Sequence, residues 1–122
     1  MSWAGEMLVI AGREVTDALA DHAAPESVDA YDDPYEALAA MGSGEWSNVV
    51  IAASYPDLDG LCRAVRRLQS GARLTVLCSA GREPEVRQLS DRPEGPGVID
   101  DYLIYPLTGE EWRKLTAVGD QS

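Results

Sequence analysis

Apolar residues in this chain come in short blocks separated by stretches rich in glycine, proline and charge. Glu6 to Ala11 carries Met7, Leu8, Val9 and Ile10 without a polar break, which predicts a strand buried on both faces and ended by Gly12. From Arg13 to Ala24 the spacing of Val15, Ala18 and Leu19 predicts an amphipathic helix, closed by Pro25. Ser27 to Tyr31 reads as a weaker second strand. Asp33 before Pro34 marks the start of a second helix that carries Leu38 and Met41 and stops at Gly42 and Gly44.

Asn48 to Ala53 repeats the buried-strand block with Val49, Val50 and Ile51, and is expected to be the central strand. Ser54 to Asp57 forms the loop after it. Leu58, Leu61, Val65 and Leu68 follow at helical spacing, with Arg63, Arg66 and Arg67 on other faces, until Gly71. Leu74 to Cys78 predicts a fourth strand and Glu83 to Leu89 a short helix. Arg92 to Gly97 makes a loop that no helix could cross. Tyr102 to Tyr105 is the fifth strand, and Gly109 to Val118 a last helix burying Trp112 and Leu115.

Strands alternating with helices require parallel pairing and right-handed crossovers, so helices cover both faces of one sheet. The expected class is α/β, a doubly wound five-stranded parallel sheet in the flavodoxin-like order 2-1-3-4-5. In that order ligands collect at the carboxyl ends of strands one and three. The 122 residues, 45% of them apolar, suit a single domain, with residues 6–116 as its core and 117–122 as a polar tail or the start of a linker. The same ending fits one domain of a longer protein.

The formal charge of −11 disfavours nucleic acid and anionic membranes as partners. No run of about 18 apolar residues predicts a membrane span, and no basic start leads into a signal segment. The expected location is the cytoplasm. Cys62 and Cys78 lack CxxC spacing and His22 is the only histidine, so no zinc site is expected and the thiols are read as buried packing.

Asp100-Asp101-Tyr102-Leu103-Ile104-Tyr105-Pro106-Leu107, followed by Glu110-Glu111-Trp112, resembles the last strand and helix of response-regulator receiver domains. Asn48-Val49-Val50-Ile51 ahead of Pro56-Asp57-Leu58-Asp59-Gly60 is similar to that family's third strand and loop, and the resemblance covers nearly the whole chain. It implies a signalling module. Receivers place two acids after the first strand, an acceptor Asp after the third, a Ser or Thr after the fourth and a Lys before the late Pro. Their chemistry needs a carboxylate-held Mg²⁺, an Asp nucleophile and a cation to offset phosphoryl charge.

Here the acid pair falls on Ala11 and Gly12, the acceptor on Ala53 or, one register away, Ala52, and the Lys on Tyr105. The hydroxyl position falls on Cys78 or Ser79. Asp57 and Asp59 read as solvated turn acids beyond the pocket, and Gly12 as a strand-to-helix turn without a GxGxxG or GxxxxGK[ST] motif. The expectation is a non-enzymatic, phosphorylation-independent interaction module that needs no Mg²⁺ or other cofactor. It would dock to a signalling partner or to itself through Tyr102, Tyr105 and Trp112 on the strand-five and helix-five face, with core packing as the other reading of Tyr102 and Trp112. The alternative is a small-molecule sensor using the crevice above Gly12, Ala53 and Ser79.

Overall fold

The computed structural model describes residues 7–21, 28–55, 57–92, 95–96, 98–105 and 107–117. Five strands, β1 (Met7–Ile10), β2 (Val28–Tyr31), β3 (Asn48–Ala52), β4 (Arg73–Cys78) and β5 (Asp101–Ile104), form one parallel sheet in the order β2-β1-β3-β4-β5. The register runs from Met7 beside Asn48 through Ala52 beside Leu77 to Cys78 beside Ile104. β1 and β3 are buried throughout, as their unbroken apolar runs require, whereas the edge strands β2 and β5 are only partly covered.

The helices are α1 (Arg13–Ala20), α2 (Pro34–Met41), α3 (Leu58–Leu68), α4 (Glu83–Ser90) and α5 (Gly109–Ala117). Side chains alternate across the sheet and divide the core in two. On one face Leu8, Ile10, Val49, Ile51 and Val76 pack against Ala37 and Met41 of α2, Leu61 and Val65 of α3, and Val86 of α4. On the other, Met7, Val9, Val50 and Leu77 pack against Leu19 of α1 and Trp112 and Leu115 of α5.

Several boundaries shift from those the pattern predicts. α1 ends at Ala20, where the Asp21 amide donates to the carbonyls of Ala18 and Leu19; the stretch from His22 to Ser27 lies outside the described residues, as do Glu6 and Val118 to Ser122. α4 is entered through a 3₁₀ turn, Ala80–Arg82. The loop near Arg92 contains a two-residue antiparallel bridge, Asp91–Arg92 with Gly95–Pro96, rather than irregular chain alone. β5 stops at Ile104, yet the Tyr105 amide still donates to the Cys78 carbonyl at 2.7 Å.

Asp57 and Asp59 are not loop acids. Asp57 caps α3 by accepting from the Gly60 amide at 3.1 Å, and Asp59 lies inside the helix and pairs with Arg63 at 2.9 Å. Asp33 caps α2 through the Tyr35 amide at 2.9 Å, with Pro34 in the first turn.

One tertiary clasp joins the two ends of the α2–β3 connection. The buried Gln69 side chain accepts from the Trp46 amide at 3.1 Å and donates to the carbonyls of Met41 at 3.0 Å and Gly44 at 2.8 Å. Trp46 is itself buried, and its indole N–H donates to Asp29 of β2 at 2.9 Å.

Candidate functional site

β1, β3 and β4 end at the same edge of the sheet, and the chain that leaves them opens a hollow of about 300 Å³. Its walls come from the turn after each strand. Gly12 and Val15 belong to the start of α1, Ala52 and Ala53 to the end of β3, Leu77, Cys78 and Ser79 to the end of β4, and Tyr105 to the residue after β5. The Ala53 amide donates to the Leu77 carbonyl at 2.8 Å, which holds its methyl group in the floor with almost no exposure.

The positions matched to the receiver pocket do converge here, with one exception. Gly12, Ala53, Cys78, Ser79 and Tyr105 all line the hollow, whereas Ala11 is buried in the core on the α1 and α5 side and borders a different depression beside β2. Gly12 is the N-cap of α1 in ordinary extended geometry, φ −68°, with open space where a Cβ would stand. No side chain caps α1, and none caps the 3₁₀ turn that starts after Ser79.

Three polar rim residues are not part of the receiver match: Glu14 in the first turn of α1, Ser54, and Arg82 at the end of the 3₁₀ turn. The Arg82 guanidinium is held from one side by Glu85, Nε to Oε1 at 3.2 Å and Nη2 to Oε2 at 2.8 Å. Arg82 and Glu14 were both findable from topology, because each follows a strand end by only a few residues.

The hollow does not fit Mg²⁺. Glu14 is the single carboxylate among its described lining residues, an arginine shares the rim, and the strand ends supply methyl groups where hard oxygen ligands are needed. Among the described residues, no three His, Cys, Asp or Glu side chains lie close enough to hold a metal ion. The Cys78 thiol is also poorly suited to nucleophilic work. Burial pushes its pKa up, Glu83 adds to this, and Arg82 opposes it. Cys62, on the buried face of α3, is pushed up to about 12 by burial, then by Asp59, against Arg66.

The three aromatic residues expected on one interaction face are divided by the alternation of β5. Tyr102 lies on the α4 side, where its hydroxyl donates to Glu83 at 2.8 Å and accepts from Arg87 Nε at 3.4 Å. Tyr105 lies on the α5 side and meets Trp112 edge to face, ring centroids 6.3 Å apart at 84°. Trp112 is 5% exposed and packs the core, so it is no part of an open surface. Ile104, 38% exposed, shares the Tyr102 face instead.

Glu83 also pairs with Arg87, and that hydrogen bond, followed by the one from Tyr102, holds its carboxyl below the usual range against the opposing effect of burial. A depressed folded pKa stabilises above the unfolded value near 4.3 and ceases to do so as pH falls through the folded value. Glu83→Gln is therefore expected to lower stability slightly at neutral pH and to leave it unchanged once pH lies below the folded value, which flattens the acid limb below about pH 5, as read by thermal melts.

No family model matches the chain, and no curated protein matches it. Solved structures do. An uncharacterized protein from Neptuniibacter caesariensis superposes with a TM-score of 0.78 at 16% identity, covering 93% of this chain and 84% of that one. A response regulator receiver domain protein (CheY-like) from Methanospirillum hungatei JF-1 superposes with a TM-score of 0.72 at 17% identity, covering 98% and 95%. The fold is that of a response-regulator receiver domain. A response regulator from Burkholderia pseudomallei, solved with a phosphorylated aspartic acid, calcium ion and citrate, shares this receiver fold at a TM-score of 0.67 and 21% identity, covering 93% and 67%. Among the described residues, no helix of this receiver fold is long and apolar enough to cross a membrane.

Proposed function

We propose that the chain is a receiver-like interaction module of signal transduction that works without phosphorylation and without catalysis. The observation that carries this is Ala53 at the carboxyl end of β3, with Ala52 before it: both registers for a phosphoryl acceptor hold a methyl group. A methyl group offers no lone pair to attack phosphorus, and Tyr105 carries no fixed positive charge to offset a transferred group. Docking to a partner or a second copy is assigned to the β5 face, where Ile104 is 38% exposed and Tyr102 is partly open.

Incubation with acetyl phosphate and Mg²⁺ is expected to give no phosphorylated mass, and Ile104→Arg to weaken concentration-dependent association in light scattering. A phosphorylated peptide from any aspartate would overturn the reading. The roughly 300 Å³ hollow favours a second reading, a small-molecule sensor built on the same fold, since that volume sits at the lower end of ordinary ligand sites.

A further inference from the structure

We infer that the hollow is a metal-independent site for a small carboxylic acid with an apolar body, whose carboxylate meets Arg82. This rests on the sensor reading of the same hollow and names its chemistry. Val15, Ala52, Ala53 and Leu77, together with the Tyr105 ring, give it an apolar lining. An apolar cavity of about 150 Å³ accommodates a benzene ring, so about 300 Å³ has room for an aromatic or branched aliphatic acid.

Arg82 supplies the polar anchor. Glu85 occupies the Nε and one Nη2 hydrogen, which leaves the Nη1 and second Nη2 hydrogens as a parallel pair on the other edge of the guanidinium. That edge matches the two oxygens of a carboxylate. Arg82 ends the 3₁₀ turn that follows β4 and is part of the hollow's own lining.

Charge on the rim decides between anions. Glu14 lines the same hollow, and Glu85 is paired with Arg82 as Glu83 is with Arg87, so a doubly charged phosphate meets the Glu14 carboxylate and an arginine already partly neutralised. A monoanion with an apolar body meets less repulsion and gains from leaving water over the alanine and leucine floor.

The test is titration of the full ¹⁵N-labelled chain with sodium benzoate, and separately with the uncharged isostere benzamide, both in EDTA, following backbone amide shifts. Benzoate is expected to saturate with a Kd of about 1 mM, shifting Gly12, Ala53 and Ser79, and benzamide to bind at least about tenfold more weakly. Arg82→Gln, a rim substitution, is expected to weaken benzoate about tenfold, and Glu14→Gln to strengthen it about threefold by removing a like charge. Equal binding of benzamide, an unchanged benzoate affinity in Arg82→Gln, or weaker benzoate binding in Glu14→Gln overturns the carboxylate assignment while the sensor reading stands. Absence of shifts with either probe overturns both.

Discussion

Replacing Gln69 with leucine is expected to lower stability by about 3 kcal/mol, a fall of about 12 °C in the melting temperature of a domain this size. The side chain is 6% exposed and makes three hydrogen bonds that no aliphatic residue reproduces. Its loss strands the Trp46 amide and the Met41 carbonyl in buried surroundings, and the penalty for an unsatisfied buried group exceeds the modest net gain of making the bond. Glutamate does no better. Its ionised carboxylate would face two carbonyl oxygens, so the Gln69→Glu protein should lose stability progressively as pH rises above about 4.3, where the unfolded chain ionises and the folded one resists it. Differential scanning calorimetry of both variants reads the effect. Because the clasp holds the amino end of β3 and the hollow lies at the carboxyl end, amide shifts around Ala53 should change little at temperatures where the variants are folded. Unchanged melting temperatures in both variants would show that this connection is held by Trp46 packing alone.

The parts of this molecule that sequence makes legible are those set by one chain segment at a time. β1, β3 and β4 announce themselves because strands buried on both faces need no polar position, and Gly12 and Asp33 mark helix starts through local backbone chemistry. The convergence of Gly12, Ala53, Cys78, Ser79 and Tyr105 follows from strand order, since parallel strands deliver their next residues to one edge. Gln69 and Trp46 escape such reading. They lie 23 residues apart, and neither carries a spacing that requires the other. The placing of Asp59 depends on where a helix begins, which a run of Pro, Asp and Gly leaves open by a turn. Tyr102, Tyr105 and Trp112 look like one aromatic surface in the sequence because the side-chain period of two along β5 sorts them only once the sheet is built.

Trp112→Ala is expected to cost about 3 to 5 kcal/mol, the loss typical of emptying a large buried aromatic site. The ring fills the space between α5 and the sheet beside Met7, Val9 and Val50, and its edge-to-face contact with Tyr105 adds a further fraction of that sum. The Asn48 side-chain amide of β3 donates to the Leu115 carbonyl of α5 at 3.4 Å, a long bond that adds little to what the buried indole supplies. A residue acting at an interface between copies behaves differently: its truncation leaves the dilute protein's melting temperature unchanged and removes the dependence of melting on protein concentration. Melts at two concentrations differing about a hundredfold separate the cases. A drop of similar size at both concentrations places Trp112 in the core. A drop seen only at the higher one restores it to the docking surface and shifts the proposed face from Tyr102 and Ile104 towards α5. Truncation has a second consequence through Tyr105, which loses its backing and no longer walls the hollow. Trp112→Phe keeps an aromatic ring behind Tyr105 and should retain benzoate binding, whereas Trp112→Ala should lose it in whatever fraction remains folded. Benzoate shifts that persist unchanged in the alanine variant would mean that Tyr105 holds its place by the Cys78 hydrogen bond alone.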